Sequence, residues 1–284
     1  MPPAARRLPA LKGADAGESL DVPGIALVVS GAVALTYGVV QIKEAGFAAA
    51  TVWGPALAGL GLLTTYALWA HGRKGAAIDM TLFADRTYAL VTVASFVFGI
   101  AFSLIFLSSF LFLLGIRGYA QGLTGLAVTP GPLVVIAVAI ASGRLVGRVG
   151  HRAVLVAGGI LYALAQGWVA IHVTETPAYL TLWFPMQILG GIAVGLLLVG
   201  LSGAAVANLP PARFGVGGAV NNAVRQLGGV FGTALGVVLV GQTGAGLEAF
   251  RFALLCLGLI GLAVAALCLP LARQSGRVVP QTAA

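Results

Sequence analysis

"GRLVGRVGHR", residues 143–152, lies between two apolar runs at about 122–143 and 153–172. It packs three Arg, one His and three Gly into ten residues. Each flanking run is close to the ~20 residues that a helix needs to cross a bilayer. The stretch therefore reads as a tight turn between two membrane spans. Gly143, Gly147 and Gly150 permit close approach and positive φ. Short basic loops gather on the cytosolic side of a membrane, so the turn also fixes a sidedness from which the other spans can be counted.

Counting outward gives eight apolar segments, at about 24–42, 52–70, 88–114, 122–143, 153–172, 179–206, 214–243 and 249–271. With the N-terminus inside, twelve of the sixteen Lys and Arg fall on the cytosolic side. Lys43, Arg117 and Arg251 fall opposite, and Arg225 is left within a span. A miscount by one span would scramble this asymmetry, so it supports eight spans with both termini cytosolic. Composition agrees: the chain of 284 residues is 59% hydrophobic and 8% charged, with a mean hydropathy of +1.02. A soluble surface needs roughly a quarter of its residues charged. The expected class is an all-α integral membrane protein with about eight transmembrane helices, multi-pass in the cell (plasma or inner) membrane. The first run, 24–42, has no small-residue cleavage site and is followed by further spans, so it reads as a span and not a cleaved leader.

The net charge of +8 belongs to tails and turns. No basic run is interleaved with aromatics as nucleic-acid binding needs. No metal-ligand spacing, nucleophile motif or phosphate loop is present, so the sequence calls for no metal, no cofactor, no catalytic residue and no enzyme activity. Cys256 and Cys268 lie twelve residues apart on one run, roughly 18 Å along a helix, too far to pair. Pro130 and Pro132 interrupt the fourth run and Pro185 the sixth. Each removes a backbone donor and kinks its helix, either for packing or to shape a cavity.

One apolar run holds polar groups that need an account. "GAVNNAVRQLGGVFG", residues 218–232, carries Asn221, Asn222, Arg225 and Gln226. A charge at the centre of a membrane helix costs about 2.5–3.5 kcal/mol on insertion scales. At helical spacing Asn221, Arg225, Gly228 and Gly232 form one line, with Asn222, Gln226 and Gly229 beside it. The Gly face suits close packing on a neighbour. The Arg either bonds carbonyls as interhelical glue or faces a cavity. All eight acids lie in tails, loops or span ends, so no carboxylate at membrane depth can pair with it.

The turn at 143–152 resembles the cytosolic loop of the major facilitator superfamily. Gly143, Leu145, Arg148, Gly150 and Arg152 fall on the positions of that pattern, while Gly147 stands where the family carries an acid. Residues 86–133 resemble the entry to the second six-helix half of such transporters. Residues 208–236 resemble the Arg-Gln-Leu-Gly-Gly segment of the fourteen-span drug:proton antiporter branch, and 21–41 the first of that branch's two extra central spans. The resemblance implies a tail at 1–23, two extra spans within 24–80, a six-helix C-terminal half at 81–272 and a cytosolic tail at 273–284. It implies proton-coupled efflux of small amphipathic molecules, with the bilayer, a small-molecule substrate and a separate or missing N-terminal six-helix half as partners. The coupling acids of the branch generally lie in that N-terminal half. By the family's core-helix arrangement the third and sixth spans line the cavity, with Phe96, Phe102, Phe106, Met186 and Gln187 as candidates. The alternative at each of these positions is a packing or lipid-facing side chain. The alternative for the whole chain is a non-transporting scaffold or regulator, or a truncated fragment without function.

Overall fold

The computed structural model of the chain describes residues 21–46, 48–71, 73, 80–116, 118–174, 178–240 and 246–271. The tail to residue 20, Lys74, Arg117 and the tail from 272, on which part of the charge count rests, lie outside them. The described elements are helices: α1 (Val22–Val40), α2 (Ile42–Ala45), α3 (Ala50–Ala70), α4 (Arg86–Leu111), α5 (Gln121–Val128), α6 (Pro130–His172), α7 (Phe184–Val206), α8 (Phe214–Val240) and α9 (Leu247–Cys268). A wider π turn at Phe112–Ile116 extends α4, and another at Tyr179–Trp183 leads into α7.

Carboxylates start two of these helices. Asp21 accepts from the Gly24 amide and Asp85 from the Tyr88 amide, both at 3.0 Å, satisfying donors that the first turn leaves open. A third acid, Glu248, sits in the first turn of α9 and pairs with Arg251 at 2.7 Å.

Among the described residues, six helical stretches are long and apolar enough to cross a membrane. The longest, Gln121–His172, runs 52 residues and contains two crossings. Its chain direction reverses at Gly150, whose φ of 82° and ψ of 160° leave the helical region. Packing on α7 shows the reversal. Before Gly150, Val134 lies against Gly191 and Val138 against Gly195, so that part of α6 runs parallel to α7. After it, Leu155 lies against Gly200 and Gly158 against Leu197, so that part runs antiparallel. The turn expected across 143–152 is thus almost wholly helical. Gly143 and Gly147 sit inside the helix with open space around them, and the bend falls on Gly150 alone.

The 21-residue α3 is less apolar, with Pro55, Thr64 and Thr65 in it, and falls outside the six. It packs antiparallel on α1, Gly59 against Leu35 and Gly38 against Val52 and Ala56, so the two make a hairpin. The hairpin leans on α8 across a hollow of about 240 Å³ lined by Thr36, Val39 and Val40 and, from α8, by Val230, Thr233, Ala234 and Val237.

The remaining helices form one body. Helices α4 and α8 run parallel: Tyr88 donates to the Gly217 carbonyl at 2.9 Å near one end, and Leu107 meets Gly236 near the other. The second part of α6 runs antiparallel to α9, with Gly159 on Gly261. These directions are those of crossings that alternate along the chain. At one end of the body Phe112, Trp183 and Phe250 stack, the two Phe rings 4.0 Å apart and 14° from parallel. Arg251 reaches over this end to the Val173 carbonyl at 2.8 Å.

Candidate substrate cavity and the polar face of α8

A cavity of about 290 Å³ opens between α4, α6 and α7. Its walls follow from the breaks in the helices. Pro132 has no N–H to give to the Val128 carbonyl one turn back, and Pro130 none for Leu126. The helix therefore stops at Val128 and restarts at Pro130. The freed Val128 carbonyl accepts from Gln187 Nε2 at 2.9 Å, and its neighbour Ala127 from the Tyr179 hydroxyl at 3.0 Å. A break in α6 is thus held open by side chains reaching from the α7 side.

Phe102 and Phe106 of α4 face this space from one side, Pro132 and Ile136 of α6 from a second, and Met186 and Gln187 of α7 from a third. Tyr162 and Gln166, from beyond the Gly150 turn, close it. The lining is almost wholly apolar, and no charged side chain is among it. Tyr162 is fixed by a 3.1 Å hydrogen bond to the Ala101 carbonyl.

Of the positions singled out in the sequence, Phe102, Phe106, Met186, Gln187 and Pro132 come together here. Phe96 does not: its ring lies edge-on to Phe231 of α8, centroids 5.6 Å apart. Pro130 starts α6, and Pro185 is the second residue of α7, just past the π turn. Tyr162 and Gln166 were not anticipated. Gln166 is the one amide in the run 153–172, and a polar side chain inside a span was itself a signal.

Asn221, Asn222, Arg225 and Gln226 sit elsewhere. Asn221 is buried, and its Oδ1 has no hydrogen-bond partner among the described residues. Arg225 is half-buried and donates to Asn222 Oδ1, while Asn222 and Gln226 are exposed. None of the four lines the cavity. Behind them α8 is sealed onto α4. A Cβ on Gly228 would overlap the Phe96 carbonyl, one on Gly232 the Ile100 carbonyl, and one on Gly99 the Arg225 carbonyl.

In the turn motif, Leu145 and Arg148 are exposed and Arg152 is half-buried. None of the five motif residues lines either of the two cavities.

The model of the MFS_1 like family matches residues 32–252, more than three-quarters of the chain. The chain belongs to this family, within the major facilitator superfamily. It is 25% identical over 228 residues to the probable transport protein HsrA of Haemophilus influenzae, covering 78% of this chain and 48% of that one. It is 29% identical over 235 residues to the multidrug resistance protein Stp of Mycobacterium tuberculosis, covering 80% of this chain and 42% of that one. It is 30% identical over 233 residues to the puromycin resistance protein of Streptomyces alboniger, covering 80% and 45%. The major facilitator chain thus spans slightly less than half the length of these curated relatives.

Proposed function

We propose that this chain is the substrate-binding C-terminal part of an exporter of small amphipathic molecules, of the fourteen-span branch. One observation carries the reading: the uncharged, aromatic- and Met-lined cavity between α4, α6 and α7. Apolar walls with a few polar groups are what a ligand pocket of this kind uses, and Met adapts to varied shapes. The relatives named for multidrug and puromycin resistance support the substrate class.

A second six-helix half completes the site, since the relatives are about twice as long and alternating access needs two units that rock against each other. That half supplies the coupling carboxylate, because the eight acids of this chain lie in tails, loops and helix starts. Arg225, Asn222 and Gln226 face the water-filled interior so formed, the hairpin α1–α3 is the pair of extra central spans, and both termini lie in the cytosol of the inner-membrane protein.

The test is accumulation of N-phenyl-1-naphthylamine, a neutral amphipathic dye with one N–H, in the native cell. Deletion of the gene should raise it, and a chromosomal Gly190→Phe should raise it as far. Gly190 lines the cavity, and a Cβ there meets only the Gln166 amide, at 3.9 Å, so the new ring fills the space. Arg225→Leu should also raise accumulation, and Val230→Leu should not. Equal accumulation in deletion and parent strains contradicts the proposal. The purified chain alone in vesicles should move no protons on substrate addition.

A further inference from the structure

Gln166 is 1% exposed, yet it belongs to the cavity wall. Its Oε1 has no hydrogen-bond partner among the described residues. A buried amide oxygen left bare is unfavourable, and native structures seldom keep one without a use. Two of the polar groups in the same wall are engaged elsewhere. The Tyr162 hydroxyl donates its one hydrogen to the Ala101 carbonyl, and Gln187 Nε2 donates to the Val128 carbonyl. The space in front of the amide is kept clear by Gly190, where a Cβ would meet nothing nearer than Gln166 Nε2 at 3.9 Å. No carboxylate lines the cavity, so a cationic ligand would be desolvated there without a counter-ion.

We propose that Gln166 sets the ligand's orientation and class: a neutral amphipathic molecule whose single hydroxyl or N–H group donates to Gln166 Oε1, while its apolar body lies against Phe102, Phe106 and Met186. This rests on the cavity being the substrate site. It adds a recognition element from the half of α6 beyond Gly150, and it separates neutral donors from otherwise similar molecules that lack one. A site built to hydrogen-bond a ligand rejects the analogue without the donor, because its own polar atom is then left unpaired.

The experiment compares 2-naphthol with 2-methoxynaphthalene, which differ by one methyl on the donor oxygen. Each is titrated, at matched free concentration, onto the full chain in lipid nanodiscs, and affinity is read from the rise in melting midpoint. The native chain should bind 2-naphthol about tenfold more tightly. Gln166→Leu and the more nearly isosteric Gln166→Met should bring the two probes to within about twofold of each other. Phe106→Ala should weaken both and leave their ratio as it was. A ratio near one in the native chain, or a ratio that persists in both Gln166 variants, overturns the role of Gln166 while the cavity stands. Binding of neither probe to the native chain removes the cavity reading and this one with it.

Discussion

Helix α4 meets its neighbours in two opposite ways. Toward α8 it closes to backbone contact, with Gly99, Gly228 and Gly232 placed where any side chain would strike a carbonyl. Toward α6 and α7 it stands off and leaves about 290 Å³, with Phe102 and Phe106 facing the gap. Without a hydrophobic drive between helices in lipid, association rests on how closely backbones can approach. Glycine on both partners gives the sealed face. The rings of α4, the proline break in α6 and the small Gly190 and Gly191 of α7 give the open one. The sealed face makes α4 and α8 one rigid unit. The open face is where a molecule can enter without displacing a packed side chain.

The contrast breaks first at the seam. Gly228→Leu forces a branched side chain into the Phe96 carbonyl, and overpacking of this kind costs ~3 kcal/mol or more when backbone must move. The expected outcome is loss of the monodisperse folded peak in detergent. The same substitution at Gly190, on the open face, should leave that peak in place.

A smaller effect is expected at the bend. Gly150 sits at φ 82° and ψ 160°, a conformation that essentially only glycine adopts, and a side chain there costs ~1–3 kcal/mol. Gly147, three residues earlier and helical, has open space, so alanine there should be neutral or stabilising by up to ~1 kcal/mol. The melting midpoint should therefore fall for Gly150→Ala and hold or rise for Gly147→Ala. If both fall equally, the bend is not localised at Gly150.

The smallest effect belongs to the polar staple of the cavity. Gln187→Leu leaves the Val128 carbonyl without its donor, at a cost of about 1 kcal/mol. The expected readout is a small fall in melting midpoint with faster amide exchange around residues 128–133. No change in exchange there would mean the staple does not hold the break.

The sequence carried the crossings and lost the contacts. Apolar run lengths placed the long helices within a few residues, because the length of an apolar run is a local property. The glycine line on α8 was legible as a packing face, but nothing local says that its partner is α4. Phe102, Phe106, Met186 and Gln187 were reached through the family resemblance. Tyr162 and Gln166 come to the cavity only because the chain reverses at Gly150, and run lengths do not reveal which face a returning helix presents. Phe96, six residues from Phe102, sits on the seam side of the same helix.

The most direct test is photolabelling of the full chain in nanodiscs with an apolar phenyl diazirine, with adducts mapped by mass spectrometry and competed with excess 2-naphthol. Lipid-facing positions on several helices will label whether or not competitor is present. The two-faced α4 predicts adducts at Phe102 and Phe106, matched at Met186, that the competitor suppresses, and none at Gly99, Gly228 or Gly232. Adducts along that glycine line, or cavity adducts that the competitor leaves unchanged, would contradict it.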